Sequence, residues 1–140
     1  FLTACGEEKT EKILQSLLER KPVCVRLDEH LSMERAEEIQ EAWKKAGGEK
    51  KTMMINHFHH VVKKELAGKR TPEELEAYVM EFVEKHPDVI LICDEIGNGI
   101  VPVDAFERTY REQTGRILIR LAQKADEVVR VLCGIGQRIK

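Results

Sequence analysis

The segment at residues 95–102, E-I-G-N-G-I-V-P, has the composition of a binding loop. It follows an apolar run at residues 89–93 that is typical of a buried parallel strand. Its glycines, Gly97 and Gly99, permit backbone conformations closed to other residues and let the main chain approach a bound molecule closely. This order of strand and loop predicts a binding edge of an α/β domain at the end of the strand.

Three histidines lie close together at positions 57, 59 and 60. His57 and His60 are three residues apart and would share one face of a helix, where two imidazoles can bind a metal ion. No Cys, Asp or Glu evidently completes such a ligand set. We therefore predict no metal site and interpret the cluster as a polar helix end or a ligand-facing surface, with metal binding as the alternative.

Short apolar runs rich in β-branched residues alternate with longer segments of helical period, which predicts βαβ units around a parallel sheet. The predicted strands span residues 1–5, 23–27, 52–56, 89–93 and 128–133, and the predicted helices span 10–20, 32–45, a segment beginning at Thr71-Pro72, and 104–124. We predict one α/β domain over residues 1–140, a three-layer sandwich with a mainly parallel central sheet.

The composition excludes several classes of function. A hydrophobic fraction of 42%, a charged fraction of 34% and a net charge of -2 describe a globular protein without the basic surface that nonspecific nucleic-acid binding requires. The longest apolar stretch, residues 89–93, is far shorter than the ~20 residues of a membrane helix. We expect no nucleic-acid partner and no membrane span.

The four cysteines all lie in apolar, strand-like runs. They are Cys5, Cys24, Cys93 and Cys133, and no C-x-x-C spacing suggests zinc or a redox pair. We interpret them as small buried side chains of a protein in the reducing cytoplasm.

Further residues match a known pattern downstream of the loop. They are Tyr110-Arg111, Gly115-Arg116, Leu121-Ala122, Ala125-Asp126-Glu127-Val128 and Gly134-Ile135. With the loop, they resemble the carboxy-terminal half of the bifunctional adenosylcobinamide kinase and adenosylcobinamide-phosphate guanylyltransferase family of cobalamin biosynthesis. The resemblance implies a P-loop NTPase (RecA-like) fold, GTP or ATP with Mg, a corrinoid substrate and a homo-oligomer. It also implies a substrate-side loop formed by Glu95, Gly97, Gly99, Arg111 and Arg116.

The family has a phosphate loop, G-x-x-x-x-G-K-[ST], near its amino terminus. The counterpart here keeps Gly6, Lys9 and Thr10, which the resemblance implies as nucleotide-binding residues. Glu7 and Glu8 would place negative charge beside the phosphates, and two unit charges about 4 Å apart repel by roughly 4 kcal/mol at a dielectric near 20. We expect poor nucleotide binding if these carboxylates occupy the helix N-terminus, whereas solvated first-turn carboxylates are the alternative.

Two further family features differ. The resemblance implies a guanylylated histidine where residues 41–43 read E-A-W, and a magnesium-binding carboxylate where Asn56 stands. A phosphoramidate needs an imidazole nitrogen, and an amide oxygen binds a hard cation more weakly than a carboxylate. A histidine of the cluster at 57, 59 and 60 taking over the missing position is a third interpretation of that cluster.

We therefore expect a divergent member with reduced or absent catalysis, and we assign no catalytic residue. An active kinase/guanylyltransferase and a non-catalytic oligomer that binds a corrinoid or a protein are the alternatives.

Overall fold

A computed structural model of the 140-residue chain describes residues 2–3, 33–45, 47, 52–68, 70–133 and 135–140. These residues form the elements β1 (Leu2–Thr3), α1 (Met33–Lys45), β2 (Met54–Ile55), α2 (Phe58–Ala67), α3 (Pro72–Lys85), β3 (Ile90–Cys93), α4 (Ala105–Lys124), β4 (Val129–Leu132) and β5 (Ile135–Arg138). The predicted helix at 10–20, the predicted strand at 23–27 and the residues Gly6, Lys9 and Thr10 lie outside the described residues.

The helix starts follow from local side-chain chemistry. Thr71 caps α3, because its hydroxyl accepts a hydrogen bond from the Glu74 N–H while the Glu74 carboxylate accepts one from the Thr71 N–H. Asp104 caps α4 by accepting a hydrogen bond from the Glu107 N–H at 2.9 Å. The predicted starts of both helices are confirmed.

The five described strands form one sheet in the order β2-β3-β1-β4-β5. The pairs β2/β3, β1/β3 and β1/β4 are parallel, and β4/β5 is antiparallel. In the register, Thr3 pairs with Cys93 and Ile55 pairs with Leu91. The carboxyl ends of β1, β2 and β3 therefore lie along one edge of the sheet, as an α/β arrangement requires.

The two faces of the sheet bury separate sets of apolar side chains. Leu91 and Cys93 belong to the larger cluster, to which all four described helices contribute. Ile92 alternates with them along β3 and joins Met54 and the two valines of β4 in a smaller cluster on the opposite face. Of the helices described, none has the length and apolar composition that crossing a bilayer requires.

The sequence predicted no span for two elements, although it indicated a helix end at the histidine cluster. The helix α2 follows β2 directly, and the strand β5 forms a hairpin with β4. The turn of this hairpin contains Cys133, which is exposed and has a φ of 51°. The interpretation of Cys133 as a buried strand residue was therefore wrong, whereas Cys93 is buried as predicted. Cys5 and Cys24 lie outside the described residues.

The helix α4 differs in detail from its prediction. The helical period within residues 104–124 predicts burial of Phe106, Tyr110, Ile117, Leu118 and Leu121. Tyr110, Ile117 and Leu121 are buried and Leu118 is partly buried, but Phe106 is exposed. Gly115 does not break the helix, and a Cβ atom at this position would have no neighbour within 4 Å among the described residues. A glycine within a helical segment suggests either a break in the helix or the close approach of another element; the break is absent, and the described residues show no close approach.

Candidate functional site

The candidate site lies where β2 and β3 end. Because these strands are parallel neighbours, the residues that follow them, Asn56-His57 and Asp94-Glu95, leave the sheet at the same edge. The central strand β1 also ends there, at Thr3, which pairs with Cys93. This is the edge at which open α/β sheets bind their ligands, so the fold places the histidine cluster beside loop 95–102.

The backbone at His57 explains how the histidines are arranged. His57 precedes α2 as its N-cap residue and has left-handed dihedrals, φ 51° and ψ 45°. Its N–H donates a hydrogen bond to Oδ1 of Asn56 at 3.0 Å. Two residues separated by two positions within a regular helix would point in nearly opposite directions. Since His57 stands outside the helix in a sharp turn, its side chain and that of His59 can reach the same acceptor.

That acceptor is the Asp94 carboxylate. Nδ1 of His57 lies 3.5 Å from Oδ2 of Asp94, and Nε2 of His59 lies 4.0 Å from the same oxygen. In the part of the chain that the structure describes, His57, His59 and Asp94 form the group of histidine and acidic residues able to hold a metal ion, with one ligand atom from each lying within 4.8 Å of the others.

The third ring, that of His60, packs against the other two. It is stacked with the His57 ring at a centroid distance of 5.4 Å and meets the His59 ring edge-on at 4.2 Å. The rings of His57 and His60 are adjacent, although His57 precedes the helix and does not share a helical face with His60. The nitrogens that approach the carboxylate belong to His57 and His59. The sequence paired the wrong two histidines as possible ligands.

Burial controls the protonation of this site. His59 is only 6% exposed, and burial, aided by the neighbouring His60 and His57, lowers its pKa to about 4 against the opposing effect of Asp94. Burial likewise raises the pKa of the Cys93 thiol to about 12. At neutral pH the site therefore offers a neutral His59 imidazole and an inert Cys93 thiol beside the Asp94 carboxylate.

Loop 95–102 is shaped by its own side chains. Oε1 of Glu95 accepts a hydrogen bond from the Gly97 N–H at 2.8 Å, and a Cβ atom at Gly97 would lie 2.8 Å from that oxygen. Gly99 has a φ of 112°, which side chains rarely permit. Beyond it, Ile100 and Val101 are exposed. The loop thus presents apolar side chains on a backbone that its glycines and Glu95 hold in shape.

The two arginines of the predicted substrate side have different surroundings. Arg111 donates a hydrogen bond to the carbonyl oxygen of Ile100 at 3.1 Å, which ties α4 to the loop. Arg116 forms an exposed ion pair with Glu112, one helical turn away, at 2.6 Å. The structure therefore places Glu95, Gly97 and Gly99 in one loop, to which Arg111 of α4 is hydrogen-bonded, whereas Arg116 pairs within its own helix.

Sequence reasoning missed Asp94. A signal was present, because Asp94 directly follows the predicted strand at 89–93 and His57 directly follows the predicted strand at 52–56. Residues after neighbouring parallel strands meet at one edge, but the sequence does not state which strands are neighbours. From the sequence, the carboxylate that completes the histidine cluster could not be recognised, because Asp94 belongs to a different segment of the chain.

Comparison with known proteins gives a family match. A model of the family described as cobinamide kinase / cobinamide phosphate guanyltransferase matches residues 19–139 of the chain. The matched range contains the histidine cluster, Asp94 and loop 95–102, and it begins after Gly6, Lys9 and Thr10. The resemblance drawn from the sequence is confirmed.

Two curated proteins are similar over a shorter segment. The bifunctional adenosylcobalamin biosynthesis protein CobU of Salmonella typhimurium is 48% identical over 52 residues, and the protein of the same name from Escherichia coli is 44% identical over 52 residues. Each alignment covers 37% of this chain and 29% of the relative. The chain thus aligns with less than a third of the length of either relative.

Proposed function

Because this chain belongs to the cobinamide kinase / cobinamide phosphate guanyltransferase family, we propose that it is a divergent member acting in cobalamin biosynthesis with reduced or absent catalysis. The observation that carries the proposal is the sequence of α1, a regular helix over Met33–Lys45 that contains no histidine. Residues 41–43 stand where the resemblance places the guanylylated histidine. Without an imidazole nitrogen there, the covalent nucleotide intermediate has no nucleophile.

The nucleotide site is proposed to be weak for independent reasons. Gly6, Lys9 and Thr10 would contact the phosphates of GTP or ATP and their Mg ion, but Glu7 and Glu8 add repulsion in the same loop. Asn56 stands at the position of the magnesium-binding carboxylate, and its Oδ1 already accepts a hydrogen bond from the His57 N–H. Because this amide oxygen is neutral and already accepts a hydrogen bond, we expect it to bind the magnesium ion of a nucleotide complex only weakly.

The proposed fold is a three-layer sandwich of P-loop NTPase (RecA-like) type, formed by one domain over residues 1–140. Its support is that both faces of the sheet bury apolar side chains and that every described strand belongs to one sheet. The strand β1 occupies the middle of that sheet, and the Lys9-Thr10 pair follows it in the sequence.

The substrate side is proposed to retain corrinoid binding. Loop 95–102 keeps its shape through Gly97, Gly99 and Glu95, and it exposes Ile100 and Val101 next to the end of β3. A large, partly apolar corrinoid would find both apolar contact and backbone polar groups on such a loop. We also propose a homo-oligomer in the cytoplasm, with the exposed Ile119 of α4 in a contact between copies.

Titration calorimetry with Mg-GTP and Mg-ATP tests the nucleotide site. We expect no binding heat at submillimolar nucleotide for the full chain. Replacing both Glu7 and Glu8 with serine removes the two negative charges, so we expect the double variant to bind more tightly. Micromolar binding by the unaltered chain would contradict the proposal, and equal affinities in chain and double variant would contradict the role given to the two carboxylates.

Catalysis and oligomerisation are tested separately. After incubation with labelled GTP and Mg, the denatured protein should retain no label. The CobU protein of Salmonella typhimurium, treated in the same way, is the positive control. Titration with adenosylcobinamide tests corrinoid binding without nucleotide. Size-exclusion chromatography tests the oligomer, and a monomer would contradict that part of the proposal.

A second candidate function is an active transferase that uses a different histidine. The observation in its favour is that His57, His59 and His60 lie together beside Asp94 at the ligand-binding edge. Covalent label retained by the chain, released by acid and absent from one of the variants His57→Gln, His59→Gln or His60→Gln would establish this alternative. Absence of label from the unaltered chain would exclude it.

A further inference from the structure

We propose that His57, His59 and Asp94 form a binding site for a divalent late transition-metal ion, with zinc as the representative ion. The donor set consists of two imidazole nitrogens and one carboxylate oxygen, which zinc and its neighbours favour and which magnesium, an oxygen-preferring ion, does not. The three donor residues differ from Asn56, the residue at the proposed magnesium position, and the proposal does not depend on nucleotide binding.

The distances between the donor atoms support the proposal. Ligand atoms about 2.0–2.2 Å from a tetrahedral zinc ion lie roughly 3.3–3.6 Å from one another. Nδ1 of His57 and Oδ2 of Asp94 are 3.5 Å apart, so this pair already has the required spacing. Nε2 of His59 is 4.0 Å from the same oxygen, and it must approach by about half an ångström.

The side chains that would hold the ion are positioned by different elements. His57 is fixed by the left-handed turn before α2, and His59 is buried in the first turn of that helix. Asp94 follows β3, and its carboxylate is partly exposed. The His60 ring packs against both ligand rings. The site thus has three donor side chains, one of which is partly exposed to solvent. A tetrahedral ion bound to them would keep a fourth coordination position open.

Metal binding requires one local change. The Asp94 N–H donates to Nδ1 of His59 at 3.4 Å, which places the proton of the neutral ring on Nε2, facing the carboxylate. The ion would take the place of this proton on Nε2, the proton would move to solvent, and Nδ1 would gain a proton from solvent, so that the ring changes tautomer and stays neutral. The long contact between Nδ1 and the Asp94 N–H would then open, so the Asp94 amide reports on metal binding.

Metal titration of the full chain tests the site. After treatment with a chelator and its removal, the protein is titrated with Zn²⁺ in calorimetry and against a competing zinc dye. Co²⁺ is added as a spectroscopic probe of coordination number. We expect one ion per chain at micromolar or tighter affinity, and a shift of the Asp94 amide resonance.

Two conservative variants identify the ligands. Asp94→Asn and His57→Gln each remove one donor at partly exposed positions, and each should weaken zinc binding at least about tenfold. His86→Gln is the matched control, because His86 also pairs with a carboxylate, that of Glu37, but lies before β3, at the opposite end of that strand. Its affinity should equal that of the unaltered chain.

The outcomes separate a metal site from a loss of structure. Far-ultraviolet circular dichroism and thermal melting without metal should match among the chain, Asp94→Asn and His57→Gln. No zinc binding below millimolar concentration by the folded chain would overturn the proposal. Equal zinc affinity of the chain and of both ligand variants, or an equal loss in His86→Gln, would overturn it too.

Discussion

The backbone N–H of Asp94 donates a hydrogen bond to Nδ1 of His59 over 3.4 Å, and this contact joins the end of β3 to the first turn of α2. The contact needs an unprotonated Nδ1, because a charged imidazole has hydrogen on both nitrogens. Burial already lowers the pKa of His59 to about 4. The neutral state of His59 is therefore linked to the folded state.

Stability should consequently decrease in mild acid. The His59 pKa in the folded state, about 4, lies below the ordinary value of 6.5, so the unfolded chain binds more protons between these values. The contribution of His59 is complete above pH 6.5 and is lost as the pH falls towards 4, by about 1–3 kcal/mol of unfolding free energy. Urea unfolding at several pH values, with a chelator present, measures this loss.

The variant His59→Gln isolates that contribution. It should be less stable than the unaltered chain at pH 7.5, because a core contact is altered, but its stability should fall less between pH 6.5 and 5. Arg130→Gln, at an exposed position of β4, serves as the control and should keep the pH dependence of the unaltered chain. An unchanged pH dependence in His59→Gln would show that other groups cause the acid sensitivity.

Alanine at two glycines should have opposite effects. Gly115 lies inside α4, and a Cβ atom there would meet no other described residue within 4 Å, so Gly115→Ala should stabilise the chain by about 0.5–1 kcal/mol. Gly99 has a φ of 112°, so Gly99→Ala should destabilise loop 95–102 by about 1–3 kcal/mol. Urea unfolding measures the change in the free energy of unfolding in each variant. Stabilisation by Gly99→Ala would contradict the geometry of the loop.

The hydroxyl of Tyr78 should contribute little to stability. It is buried without a hydrogen-bond partner among the described residues, and burial raises its pKa to about 12. Its ring packs under the guanidinium of Arg70, 4.0 Å from the ring centroid. Tyr78→Phe keeps the ring contact and removes the unsatisfied hydroxyl. Its free energy of unfolding should therefore equal that of the unaltered chain or exceed it by up to about 1 kcal/mol.

A second variant separates the hydroxyl from the ring. Tyr78→Leu loses the contact with Arg70 and should be less stable than Tyr78→Phe by about 1 kcal/mol or more. Thermal melting of both variants decides the matter. A clear loss of stability in Tyr78→Phe would mean that the hydroxyl has a partner.

Two cysteines should differ strongly in reactivity. Cys133 is exposed in the hairpin turn, whereas Cys93 is buried and its pKa is raised to about 12. Since the thiolate is the reactive form, Cys93 should be alkylated at least about a hundredfold more slowly at neutral pH. Peptide-resolved mass spectrometry after timed alkylation compares the two sites in one sample, and denaturant should abolish the difference. Similar rates in the native protein would contradict the burial of Cys93.

The sequence predicted the parts of the fold that have strong local signals. The apolar run at 89–93 and the Thr71-Pro72 cap signal are local, and β3 and α3 follow them closely. The sequence indicated a helix at His57 and His60 but no span for α2, and it did not reveal that His57 adopts a left-handed conformation before the helix. The strand β5 is an exposed edge strand with little apolar alternation, I-G-Q-R, so no period identified it.

The candidate site was predictable in part for a related reason. Loop 95–102 and the histidine cluster were visible as separate motifs, each with its own local pattern. Their meeting depends on the pairing of β2 with β3, which is a long-range property of the sheet. Asp94 therefore became a partner of His57 and His59 only once strand order was known.

The position of β1 has a consequence for how the chain folds. Leu2 pairs on one side with Ile92 and on the other with Val129, so the middle of the sheet is supplied by residues far from both partners along the polypeptide. Such distant pairings require closure of long loops and slow the search for the native arrangement. During synthesis on the ribosome, β1 must wait for β4 to emerge, and a chain truncated before Val129 would leave an open strand edge prone to aggregation.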